Sequence, residues 1–239
     1  MKRAVSTVSI GEAYNSIEKI THPSLSAYAK RLSADFVVLR EQKTKYPHYV
    51  KLEIGKLLDE YERVLFLDTD TIVSKSCPSL FEMVPEDCLG IYDEGKLANE
   101  VQRATHYEVM RLAEEFYGIS AEPLGYGFYN TGVMVLSQCH KELFSVPPRD
   151  EMFANYWDQA YLNLRIRQEK TKIYDIGFKF NRMYYVDPVV NEHRLASHIV
   201  HYAGIQTLGN LITTDLAMWA AYQPETSSNE TDGNQRKDG

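Results

Sequence analysis

An α/β fold built around a mostly parallel central sheet is what these 239 residues predict, on three observations. Short apolar runs suited to strands alternate with stretches of helical periodicity from the amino terminus onward, and such alternation covers a parallel sheet on both faces. The run VLFL, 64–67, is apolar throughout, as a strand buried on both faces must be. Hydrophobic residues make up 44% of the chain, enough for one good core and too little for two full-sized domains. A single domain is therefore expected over residues 1–222, followed by a polar, disordered tail over 223–239.

The elements follow in order. AVSTVSI, 4–10, suits a first strand; EAYNSIEKITHPSLSAYAKRL suits a helix interrupted near Pro23; ADFVVLR, 34–40, suits a second strand. Val50, Ile54, Leu57, Leu58 and Tyr61 then recur at helical spacing ahead of the strand RVLFL. LGIYDEG, 89–95, reads as another strand ending in Asp93 and Glu94. A long helix is expected from about residue 96 to Tyr117, with Val101, Tyr107, Met110, Ala113 and Phe116 on one face and Gly118 closing it. GFYNTGVMVLS, 127–137, joins a small NTG turn to a β-prone run, and WDQAYLNLRI, 157–166, starts a helix with an early Asp. KIYDIG and IVHYAG, 199–204, complete the fold, and QPETSSNETDGNQRKDG after it has almost no apolar residues.

Bulk properties narrow the function classes. The formal charge of -7 and a pI near 5.5 give a polyanion no general attraction, so no nucleic-acid partner is expected. Cys77, Cys88 and Cys139 are scattered and form no CxxC pair, which fits reduced thiols in a cytoplasmic protein better than a disulfide framework or a zinc site. The opening MKRAVSTVSIGEAYN has no signal-peptide core, and no stretch reaches the roughly 18 apolar residues of a membrane span.

The chemistry begins at ERVLFLDTDTIV, 62–73, where a buried strand runs straight into Asp68-Thr69-Asp70. Strand ends of this kind are where open α/β sheets bind ligands. Carboxylates at i and i+2 can reach the same side and share one divalent ion. The competing reading is an acidic turn with Asp70 as a cap. The apolar TIV that follows argues against it, since it continues the buried chain. An apolar strand ending in DxDT also matches the first motif of haloacid-dehalogenase-type phosphatases. That motif sits on the first strand and needs a later acidic pair, and this chain contains no Gly-Asp or Asp-Asp dipeptide.

Three further segments are each weak alone: FYNTGV, 128–133; WDQAYLN, 157–163; and HYAG, 201–204. Their order after a DxD is informative, and with Lys51 upstream the series resembles glycosyltransferase family 8, the glycogenin and galactosyltransferase type, over about residues 4–210. The resemblance implies a GT-A, Rossmann-like nucleotide-diphospho-sugar transferase domain. It implies Asp68, Asp70 and His201 as ligands of Mn2+ or Mg2+, with Asp68 also touching the nucleotide ribose. Lys51 and Asn130 would face the donor, Asp93 would contact sugar hydroxyls, and Asp158 and Gln159 would act at the reacting carbon, with Gln159 nearest to it. The implied reaction retains anomeric configuration while moving a hexose from a UDP-sugar to a hydroxyl of a glycan, protein or small-molecule acceptor. Without the resemblance, Lys51 is equally well a solvated lysine at a helix start. The family's late segment runs HFxGxxKPW, with a lysine for the diphosphate, whereas this chain reads HYAGIQTLGNLI. Lys51 or Arg103 would then substitute, or metal and backbone alone would hold the diphosphate, or transfer would be lost. The last case leaves a non-catalytic nucleotide-sugar or glycan-binding module.

Overall fold

A computed structural model describes residues 1–41, 45–120, 127–148, 151, 153, 156–204 and 208–221. In chain order it runs β1 (Arg3–Val8), α1 (Glu12–Arg31), β2 (Asp35–Leu39), α2 (Ile54–Leu57), β3 (Arg63–Leu67), β4 (Thr71–Val73) and α3 (Leu80–Met83). Then come β5 (Leu89–Asp93), α4 (Glu100–Tyr117), β6 (Tyr129–Ser137), α5 (Trp157–Gln168), β7 (Ile173–Asp175), β8 (Ile199–His201) and α6 (Leu208–Ala221). The tail expected to be disordered lies outside the described residues.

Six strands form one sheet in the order β2-β1-β3-β6-β5-β7, and β4 pairs with β8 in a separate two-stranded ribbon. In the large sheet only β6 runs against the rest, antiparallel to both β3 and β5. The expected mostly parallel sheet is therefore present, with one reversed central strand. β3 and nearly all of β6 are buried, and two large apolar clusters fill the two faces: Phe66, Met134 and Leu136 pack with α4 and α5 on one, Leu65, Val133 and Val135 with α1 and α3 on the other.

Two irregularities position the site. The β5–β6 register runs Ile91↔Met134 and then Tyr92↔Asn130, so residues 131–133 bulge out of the ladder. The NTG segment, expected as a turn, is thus a bulge inside a strand, and a bulge re-aims side chains in this way. The ribbon pairs Thr71 with His201, and Tyr202 N–H donates to the Asp70 carbonyl at 2.9 Å. Residues 130 positions apart in sequence thereby end beside one another.

Three expectations are corrected. α1 continues through Pro23, because Pro23 and Lys19 are on the exposed side, where water can take the carbonyl that the ring leaves without a donor. On α4, Val101 is 76% and Tyr107 49% exposed, while His106, Val109, Met110, Ala113 and Tyr117 face inward. Val101 and Met110 are nine residues apart, about half a turn out of phase at 3.6 residues per turn. The third is α6, absent from the sequence reading. Its Leu211, Ile212, Leu216 and Trp219 pack with Ile17, Ile72, Val200 and Tyr202 to seal the outer face of the ribbon.

Asp215 of α6 is fully buried and accepts from Arg194 Nε and Nη2 at 2.8 Å each and from Tyr202 Oη at 2.7 Å. Removing it leaves an arginine and a buried phenol without their acceptor. Asp215→Ala should cost roughly 3 kcal/mol, read as a fall in Tm on the order of 10 °C. A thermal melt within about 2 °C of wild type would show that α6 is not anchored through this group.

Candidate functional site

The carboxyl end of β3, the β6 bulge, the first turn of α5 and the end of β8 surround a cavity of about 780 Å³, inside the usual range for small-ligand sites. Lys51, Asp68, Asp70, Asn130, Asp158, Gln159 and His201 all line it. Of the residues singled out from sequence, Asp93 and Arg103 do not. Asp93 Oδ1 accepts backbone N–H groups of Gly95 and Phe128 at 3.1 and 3.2 Å, and the next residue, Glu94, faces the cavity instead. Arg103 is exposed on α4 and is absent from the lining.

Asp68, Asp70 and His201 form one cluster, with a potential ligand atom from each within 4.8 Å of the others. A divalent ion with bonds of about 2.0 to 2.6 Å spans ligand separations of that size, so the trio fits such an ion. His201 Nε2 lies 3.3 Å from Asp70 Oδ1 and 3.7 Å from Asp68 Oδ2. Burial opposes the His201 imidazolium, but Asp70 outweighs it and holds the ring above its ordinary pKa. Burial likewise opposes the Asp70 carboxylate, and His201 reverses that effect. Asp68 ends above its ordinary value, because burial exceeds the help it receives from Lys51.

The approach of His201 depends on Gly132. A Cβ at that position would lie 2.2 Å from His201 Cε1, a distance no pair of carbons tolerates. The orientation of the ring is decided further back. Gly132 N–H is a backbone donor that cannot reverse, and it donates to Asn130 Oδ1 at 3.0 Å. Asn181 Nδ2 donates to that same oxygen at 2.9 Å, which leaves Asn181 Oδ1 facing His201 Nδ1 at 2.8 Å. An amide oxygen only accepts, so Nδ1 carries a proton and Nε2 faces the aspartates, donating to Asp70 when the ring is charged and able to offer its lone pair to an ion held between them. Asn181, fully buried, had no sequence signal of its own.

Lys51 is buried, not solvated. It sits in a 3-10 turn over Pro47–Glu53 that delivers its Nζ 3.1 Å from Asp68 Oδ1 and 2.9 Å from Asp158 Oδ2. Thr131 Oγ1 donates to Asp158 at 3.2 Å. Burial works against the ammonium, and the carboxylates of Asp158 and Asp68 overcome it, so Lys51 stays charged. No other Lys or Arg is among the described residues of the lining. Thr207, where the family pattern has its lysine, lies outside the described residues.

Glu94, not Asp93, is the acid at the end of β5 that reaches the cavity. It is 5% exposed and accepts from Gln159 Nε2 at 2.9 Å, Tyr185 Oη at 2.9 Å and Asn130 Nδ2 at 3.3 Å. Burial raises its pKa to about 7 against those hydrogen bonds. Nearby His106, stacked on Phe128 at 4.1 Å, is pushed down to about 4 by burial and brings no charge. Glu94 opens a 3-10 turn, Glu94–Lys96, capped by Asp93, and this turn directs the two neighbouring acids to different partners.

The matching family model is that of glycosyl transferase family 8, over residues 6–207. The chain belongs to this family. Solved structures share the fold at low identity. A glycosyltransferase involved in the glycosylation of the major capsid of PBCV-1 aligns with TM-score 0.62 and 12% identity, covering 90% of this chain and 100% of that one. An active-site mutant of LgtC aligns with TM-score 0.58 and 14% identity, covering 93% and 98%. Mouse xyloside xylosyltransferase 1 aligns with TM-score 0.52 and 11% identity, covering 85% and 98%. The fold is thus that of the GT-A glycosyltransferases, and family membership removes the ground for the phosphatase reading. None of the curated proteins matches the chain in sequence. No helix among the described residues is long and apolar enough to cross a membrane.

Two outcomes follow from this geometry. Asn181→Leu removes the acceptor on His201 Nδ1, and loss of such a partner typically weakens a metal site 10- to 100-fold; isothermal titration with Mn2+ checks it, and an unchanged affinity would count against the relay. The second concerns Glu94. Its folded pKa of about 7 exceeds the unfolded value of 4.5, so its contribution to stability is full below pH 4.5 and is lost as pH rises to about 7. Glu94→Gln should therefore melt higher than wild type at pH 8, with the gap closing toward pH 5.

Proposed function

We propose that the protein is a retaining glycosyltransferase that moves a hexose from a UDP-sugar to an acceptor hydroxyl with Mn2+ at Asp68, Asp70 and His201. The observation that carries this reading is the meeting of that trio with Asp158, Gln159 and Asn130 in a single cavity of a family 8 chain. A mixed oxygen and imidazole set suits Mn2+ somewhat better than Mg2+, and Asp68 would touch the nucleotide ribose as well. When bound, the ion supplies positive charge for the departing diphosphate.

The chain's own residues do the rest. Lys51, held charged between Asp68 and Asp158, fixes both carboxylates and adds positive potential on the diphosphate side. Asn130 and Gln159 present amide groups to the donor sugar, and Gln159 is the residue assigned to its anomeric carbon. Asp158, in the first turn of α5, is stabilised by the helix N-terminus and by Thr131. The bond between the anomeric carbon and the diphosphate oxygen breaks while the acceptor oxygen bonds on that same face. The acceptor proton goes to the leaving diphosphate. Asp158 and Gln159 stabilise the transient positive sugar and hold the acceptor. A cytoplasmic location is supported by the three cysteines, none of which is disulfide-bonded.

A second reading, a nucleotide-sugar-binding module without transfer, is favoured by one observation. Lys51 is already engaged by two carboxylates, and no further Lys or Arg lines the described part of the cavity.

A thermal-shift panel of nucleotide sugars with and without Mn2+, combined with an assay for released UDP, separates the readings. A UDP-sugar at 100 times its Kd should stabilise by about 2.7 kcal/mol, a rise in Tm of about 5 to 10 °C. The rise should require Mn2+ and vanish in Asp70→Ala, and His201→Ala should need more Mn2+ for it. A shift without any release of UDP or sugar would favour the binding module. An equal shift in Asp70→Ala would sink the metal-bridged donor.

A further inference from the structure

Glu94 is a costly residue for this cavity. It is 5% exposed, its nearest basic group is the neutral ring of His106 with Nε2 at 3.9 Å, and the described residues offer it no Lys or Arg. A buried carboxyl without a cationic partner is kept against its desolvation cost, and cavities are where such groups take on a function. Each of its oxygens has a defined task. Oε1 accepts from Gln159 Nε2 at 2.9 Å, and Oε2 accepts from Tyr185 Oη at 2.9 Å and Asn130 Nδ2 at 3.3 Å.

We propose that Glu94 is a positioning residue that sets which end of the Gln159 amide faces the donor sugar, presenting the Gln159 carbonyl oxygen to the reacting carbon. This rests on the assignment of Gln159 to the anomeric carbon made above. Above its pKa of about 7, as at the pH 8 of the assay, the Glu94 carboxylate can only accept, so the Gln159 NH2 turns toward Oε1 and its oxygen takes the other side. The other side is independently defined. Asn130 Nδ2 donates to Gln159 Oε1 at 3.2 Å, and Asn130 itself cannot flip, because Gly132 N–H holds its oxygen at 3.0 Å. Gln159 is therefore fixed from both ends, by an acceptor at its nitrogen and a donor at its oxygen. The oxygen is the end able to stabilise a developing positive charge on the sugar.

The isosteric substitution Glu94→Gln tests this sharply. The new side chain has one NH2, which cannot face Asn130 Nδ2 without setting donor against donor. Turned toward Gln159 instead, it is accepted only if Gln159 reverses its amide, which brings the Gln159 NH2 against Asn130 Nδ2, so either orientation disturbs the contact that holds the Gln159 oxygen. The full chain is assayed with Mn2+ and UDP-glucose or UDP-galactose by release of UDP, alongside titration with UDP and a melt at pH 8. Glu94→Gln should lower kcat on the order of tenfold or more, with the Kd for UDP unchanged within about twofold and Tm not lowered. A merely structural role would lower Tm together with kcat. The double variant Glu94→Gln/Gln159→Ala should be no slower than Gln159→Ala alone, because Glu94 acts through Gln159. Glu94→Asp, still acceptor-only, should recover part of kcat relative to Glu94→Gln. The proposal is overturned if Glu94→Gln keeps the wild-type kcat, if the two single losses multiply, or if Glu94→Asp is the slower variant. Wild-type protein that binds UDP but releases none from either sugar would overturn the transfer reading itself, and this assignment with it.

Discussion

The hydrogen bond from Gly132 N–H to Asn130 Oδ1 sets the polarity of everything around the cavity. Side-chain amides can present either end to a partner, and a network made only of them has two opposite solutions. A backbone N–H removes one. From that single fixed donor the Asn181 amide, the protonated nitrogen of His201 and the Gln159 amide all follow, each within hydrogen-bonding distance of the next. The same glycine, by lacking a Cβ, leaves the room that the His201 ring occupies. The β6 bulge at Gly132 is thus the feature on which both the Asp68, Asp70 and His201 cluster and the Asn130 and Gln159 amides depend.

Charge is the second constraint. Asp68, Asp70, Asp158 and Glu94 bring four carboxyl groups to one cavity, against Lys51 and His201. Lys51 is shared by Asp68 and Asp158, and His201 leans on Asp70, so the excess is negative and is concentrated where Asp68 and Asp70 converge. That excess favours a cation at that point and opposes the approach of an anion. Glu94 has no Lys or Arg against it among the described residues and is held chiefly by three hydrogen bonds.

Much of the site was legible because its residues carry local patterns. DTD after an apolar strand, NTG before a β-prone run, DQ in the first turn of a helix and a His at a strand end are all short-range signals, and the cavity gathers Asp68, Asp70, Asn130, Asp158, Gln159 and His201. What escaped has no such pattern. Asn181 and Asp215 matter through partners 20 and 13 or more residues away, and a lone Asn or Asp in a polar stretch reads as a turn. The continuous α1 escaped because a proline's effect depends on which face its freed carbonyl meets. The α4 face was misjudged because apolar Val101 and Tyr107 were counted for their chemistry, though they lie off the arc that meets the sheet.

The sequence by itself determined the α/β architecture, the strand ends where charged residues gather, and family 8 membership, since these rest on hydrophobic periodicity and on motifs read along the chain. The tertiary structure alone decided that Lys51 is a buried clamp and not a solvated lysine, that Glu94 and not Asp93 faces the cavity, and which nitrogen of His201 faces the aspartates. Those outcomes turn on burial, side-chain direction and the partner across space. Lys51 is brought in by the 3-10 turn over Pro47–Glu53, and the other two go with a register shift between β5 and β6 and a two-stranded ribbon that joins residue 71 to residue 201, neither of which has a local signal in the chain.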